Sequence, residues 1–127
     1  MEVLCSALTE VLGLTVDALR QNDWEAAGSV EPLEQVIDHI KSILRNRHIA
    51  RLKKGECGVE AGFIWADLLT DIERTSDHCS NIAGCILDLS HRDMNIHESI
   101  RLLKADEENY KRVFNDYRAK YALAEMK

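Results

Sequence analysis

Apolar residues recur at three- and four-residue steps through almost the whole of this 127-residue chain, and that period belongs to helices. In the first segment Leu4, Ala7, Leu8, Val11, Leu12, Thr15, Ala18 and Leu19 fall on one helical face. The segment is expected to end around Gln21 to Asp23, with Asp23 as N-cap of the next. The second stripe is Leu33, Val36, Ile37, Ile40, Ile43, Leu44 and Leu52. Pro32 is its awkward member, because an interior proline removes a hydrogen bond and kinks the helix. Either the helix begins at Trp24 and kinks, or Ser29 caps it and Pro32 falls in the tolerated first turn; we expect a kink. Lys53, Lys54 and Gly55 close the helix, two cations at its negative pole followed by a C-terminal glycine.

A third helix is expected from near Gly58 to about Asp88, with Ala61, Ile64, Trp65, Leu68, Leu69, Ile72, Cys79, Ala83 and Ile86 as its stripe. A polar turn at Ser90 to Asp93 follows, then a capping pair at Asn95 and Glu98. The tail carries Ile100, Leu103, Tyr110, Phe114, Tyr117 and Tyr121 at helical spacing. Its polar middle, Lys104 to Asn109, is expected to break it in two, with Asp106 capping the second piece. The aromatic stripe is read as core or dimer seam. No alternating strand pattern competes, so the fold class is all-α.

Bulk properties exclude several functions. The chain has the size of one domain, and 46% apolar with 30% charged residues is an ordinary globular mixture. Its net charge of −6 supplies no general positive field for nucleic acid. The basic run Arg45, Arg47, His48, Arg51, Lys53 and Lys54 reads first as a solvated helix end. No stretch approaches the roughly 18 to 20 apolar residues of a membrane span, and Glu2 without a basic n-region gives no secretory signal. Cys5, Cys57, Cys79 and Cys85 have neither zinc-knuckle nor obvious disulfide spacing, and are expected to be reduced thiols of a cytosolic protein. No H-E-x-x-H, P-loop, G-x-S-x-G or Glu-x-x-His pattern occurs, so no enzyme is expected.

One pattern carries chemistry. E-x-x-x-D-H occurs at Glu34 to His39 and again at Glu73 to His78, each placing two carboxylates one turn apart on one face. If the second and third helices fold back about Gly55 and Glu56, residues whose numbers sum to 111 lie level. Glu34 with Asp77, and Asp38 with Glu73, both satisfy this. At ~100° per residue the two acid pairs are offset to the same side of their stripes, so on antiparallel neighbours four carboxylates can converge. Such a cluster raises its own pKa values unless a cation holds it. Oxygen ligands suit iron, manganese, zinc or magnesium. Acids that are merely solvated helix residues are the alternative, and His39 and His78 lie further round, towards solvent.

The stretch His48 to Cys57, followed by Asp67 to Ala83 with its core Glu73-Arg74-x-Ser76-Asp77-His78-x-x-Asn81-Ile82-Ala83, resembles the PhoU family. More closely, it resembles the PhoU-like domain at the C-terminus of bacterial sodium/phosphate cotransporters. The resemblance covers residues 1–90, one antiparallel three-helix repeat, leaving 91–127 as a helical tail that packs on the bundle or forms a dimer seam. It implies a non-catalytic regulatory domain of phosphate uptake and signalling. Its partner would be the cotransporter membrane domain or a phosphate-signalling protein. It also implies metal, iron or zinc, at Glu34, Asp38, Glu73 and Asp77. Full PhoU proteins carry two such repeats, which a homodimer could supply. A purely structural helical interaction domain without metal is the rival reading.

Overall fold

The computed structural model describes residues 1–91 and 96–123, with side chains described for 1–88 and 107–123. Four helices follow one another: α1 (Glu2–Gln21), α2 (Trp24–Lys53), α3 (Val59–His91) and α4 (Ile96–Lys120). Among the described residues there is no strand. The all-α class is thus observed.

Each turn has a local cause. Asn22 closes α1 in the left-handed region (φ 52°), its N–H returning to the Ala18 carbonyl. Asp23 then caps α2, its Oδ1 accepting from the N–H groups of Glu25 (3.1 Å) and Ala26 (3.2 Å). The hairpin between α2 and α3 turns on Gly55 at φ 71°, a conformation that costs a side-chain-bearing residue energy. α2 therefore starts at Trp24, and Ser29 is not its cap. The Ser29 hydroxyl donates instead to the Glu25 carbonyl within the helix (3.3 Å). Pro32 lies inside α2 and is buried, so its missing N–H is offset by apolar burial.

α2 is the central rod and packs against α1, α3 and α4, while α1 also touches α3. Leu4, Ala7, Val11 and Ala18 of α1 meet Val30, Leu33, Val36, Ile37 and Ile40 of α2, and Leu69, Ile72, Cys79, Ala83 and Ile86 of α3, in one core. Each large side chain removed from water here contributes about 1.5–3 kcal/mol.

Three expectations are corrected. The buried face of α3 is Gly62, Leu69, Ile72, Ser76, Cys79, Ala83 and Ile86, with Trp65 half-buried; Ala61, Ile64 and Leu68 point to solvent. A stripe drawn from apolar residues alone is rotated, because the outer residues at this end of α3 are apolar as well. On α1, likewise, Leu12 and Leu19 are exposed. The tail is not broken at Lys104 to Asn109: α4 is continuous through that run. Ala105, Glu107 and Glu108 are ordinary helix residues, and polarity alone does not end a helix. The capping pair Asn95–Glu98 and the turn Ser90 to Asp93 lie outside the described side chains, and the backbone of α3 continues through Ser90 to His91.

The aromatic tail packs on the bundle. Tyr121 is buried, with Phe114 and Tyr117 partly buried against the core. Glu10 of α1 accepts hydrogen bonds from the Tyr121 hydroxyl and from Lys120 (2.7 Å), tying the end of α4 to α1.

The end of the α2–α3 hairpin is built differently. α1 has 20 residues against 30 in α2, about 15 Å shorter at 1.5 Å per residue, so the last turns of α2 lie beyond its reach. There α3 approaches through Gly62: a Cβ on it would lie 3.2 Å from His48 Nε2 and 3.3 Å from a Leu52 methyl. His48, expected in a solvated basic run, is buried against this glycine, with the Trp65 ring 6.0 Å away and Arg51 over that ring at 5.6 Å.

Candidate functional site: a cross-helix acidic cluster

The two acid motifs do lie level on antiparallel neighbours, and the structure brings their members together in two distinct pairs. Glu34 of α2 lies within hydrogen-bonding reach of Asp77 of α3. Asp38 and Glu73, one turn away, are bridged rather than touching: Lys41 Nζ stands 2.9 Å from Asp38 Oδ1 and 2.6 Å from Glu73 Oε1. His39 and His78 are exposed, as their positions on the helices suggest.

Sequence reasoning misses Lys41, although the signal is present. It follows Asp38 by three residues, and it falls in the same buried stripe as Leu33, Ile37, Ile40, Leu44 and His48, where a lysine has to find a partner. Its side chain is 6% exposed, against 50% for Asp38 and 35% for Glu73. Burial works against its charge, but the hydrogen bonds to Glu73 and Asp38 outweigh this and raise its pKa above the ordinary lysine range. This ion pair is partly desolvated and links two helices.

The other pair has no lysine. Burial, then the hydrogen bond and charge of Asp77, then the charges of Asp38 and Glu31 push the Glu34 carboxyl up to about 7. Near neutral pH the Glu34 carboxyl is therefore protonated for part of the time. Gln35 Nε2 donates to Glu34 Oε2 at 3.1 Å. Tyr110 of α4 faces the same acids: burial and the charges of Glu31 and Glu34 raise its pKa.

A metal at these four residues would need the oxygens that Lys41 already holds. Among the described residues no group of three or more His, Cys, Asp and Glu has an arrangement that could hold a metal ion. With the Lys41 ammonium between Asp38 and Glu73, the cluster as arranged does not fit a metal centre. An ion would have to displace that ammonium. All four cysteines are free: Cys5 and Cys85 exposed, Cys57 half-buried and Cys79 buried.

The PhoU domain family model matches residues 3–86, which span α1, α2 and most of α3. The chain belongs to the PhoU family, whose members are regulatory rather than catalytic and act in phosphate homeostasis. Neither the comparison with curated proteins nor that with solved structures gave a significant match. Among the described residues no helix is long and apolar enough to cross a membrane.

Proposed function

We propose that this chain is the regulatory domain of a sodium-coupled phosphate uptake system. It acts by contact with the membrane part of the cotransporter or with a phosphate-signalling protein, at the cytosolic side of the membrane. The link to sodium/phosphate cotransporters rests on the resemblance of residues 48–57 and 67–83. The regulatory role rests on the family.

The observation that supports action by contact is the apolar surface at the hairpin end. Val59, Phe63 and Ile64 are 70%, 68% and 67% exposed, and Leu68, Ile49 and Leu52 add to them from the adjoining turns. Single exposed apolar residues are ordinary, but six within the last turns of one hairpin supply apolar surface of the kind that proteins bury against a partner. Lys53, Lys54, Glu56 and Glu60, at the same end of the hairpin, are exposed and charged.

Co-purification with the intact cotransporter under phosphate excess and phosphate starvation tests the proposal. Wild-type protein is expected to be retained in one condition, and a Phe63→Asp, Ile64→Asp variant to be lost from the complex while keeping its helical circular dichroism. No interaction in either condition would count against the proposal.

A further inference from the structure

We propose that Lys41 takes the place of a metal ion in the acidic cluster, so that this domain clamps α2 to α3 without metal. Three observations carry this, and none depends on which partner the domain contacts.

The first is position. The ammonium lies between one carboxylate of each helix, 2.9 Å from Asp38 Oδ1 and 2.6 Å from Glu73 Oε1. A zinc-type ion bound by the same two oxygens would sit about 2.0–2.2 Å from each, in space the ammonium fills. The second is burial. The Lys41 side chain is 6% exposed and belongs to the buried stripe of α2, so it is held in place by packing rather than swinging in from solvent. An ion displacing it would leave a buried ammonium without these two acceptors, which is strongly unfavourable. The third is what remains. With Asp38 and Glu73 bridged by the ammonium, the carboxylates it leaves unbridged are Glu34 and Asp77, two at one level of the hairpin, fewer than a structural metal site uses.

The groups around the ammonium give the same balance. Asp38 and Glu73 face it directly, Glu34 and Asp77 lie one turn away, and His39 and His78 are on the solvent side. A lysine is a compact point charge that can join two carboxylates without imposing coordination geometry. The result is a permanent clamp that needs no supply of metal.

The test is metal content after purification without chelator and equilibration separately with zinc, manganese and, anaerobically, ferrous iron at neutral pH, read by elemental analysis. Wild-type protein and Lys41→Arg, which keeps the cation, should both hold far less than one equivalent. Lys41→Met, which keeps the apolar stem and removes the charge, should bind zinc at least about ten-fold more tightly than wild type. Helical circular dichroism verifies that each variant is folded. One equivalent of metal in the wild type that disappears in Glu73→Gln would overturn the proposal. So would a folded Lys41→Met that gains no affinity. Should Lys41→Met fail to fold, the wild-type and Lys41→Arg contents decide alone, near-empty protein supporting the proposal and stoichiometric metal refuting it.

Discussion

Two acid pairs stand one turn apart on the same two helices, and they solve the same electrostatic problem in different ways. Asp38 and Glu73 are joined by a buried ammonium, whereas Glu34 lies against Asp77 with no cation between them and its carboxyl holds its proton more tightly. The residue types and the spacing are the same, E-x-x-x-D on each helix. The difference is Lys41, which lies within reach of one pair and not the other. A motif of ligand-type residues thus does not define its counter-charge. The neighbouring position on the buried stripe does.

Removing that counter-charge should do the most damage. Lys41→Met should destabilise the bundle by about 2–3 kcal/mol in urea unfolding, because Asp38 and Glu73 then face each other uncompensated. Combining it with Glu73→Gln should recover part of the loss, the sign of a specific pair rather than of lost packing.

The Glu34–Asp77 pair should respond in the opposite sense. Glu34 titrates near 4.5 when unfolded and at about 7 when folded. Its protonated form thus favours the native state, and this contribution is complete below 4.5 and lost as pH rises through 7. Screening at a half-exposed carboxyl reduces the effect to the order of 1 kcal/mol between about pH 5 and pH 8. Glu34→Gln should stabilise the protein at about pH 8 by a similar amount and flatten this part of the pH profile. An unchanged profile would show that the two carboxyls do not interact.

Contacts outside the cluster should matter less. Tyr121→Phe removes one of two donors to Glu10 and leaves Lys120 in place, so a loss of about 0.5–1 kcal/mol is expected by thermal or chemical unfolding. Ser76 lies buried inside the second acid motif, with no hydrogen-bond partner for its Oγ among the described residues. Ser76→Ala should therefore change stability by less than about 0.5 kcal/mol or raise it slightly. A larger loss would reveal a partner for that hydroxyl.

Much of the fold is legible in the sequence because helical periodicity is a strong signal and its punctuation is clear. Asp23 caps α2, and Gly55 turns the hairpin, as their residue types suggest. The level matching of Glu34 with Asp77, and of Asp38 with Glu73, is legible for the same reason, since a short turn sets the register of two rods. The phase of α3 is not. Its inner face contains Gly62 and Ser76, while Ile64 and Phe63 lie outside, so hydrophobicity points partly to the exposed apolar surface at the hairpin end. The polar run in α4 imitates a break because solvated and non-helical residues look alike without their surroundings. Lys41 escapes notice because a lysine is usually exposed, although its place in the buried stripe of α2 marks this one as an exception.

Above all, α2 and α3 bring these acids together and compensate them from within. A carbon-detected NMR titration of the Glu34 side-chain carboxyl, in the wild type and in Asp77→Asn, reads that meeting of helices directly. The wild-type midpoint should lie near 7 and move clearly towards the ordinary glutamate range when Asp77 is neutralised. A wild-type midpoint at the ordinary value, unmoved by Asp77→Asn, would mean that the two helices do not meet as described.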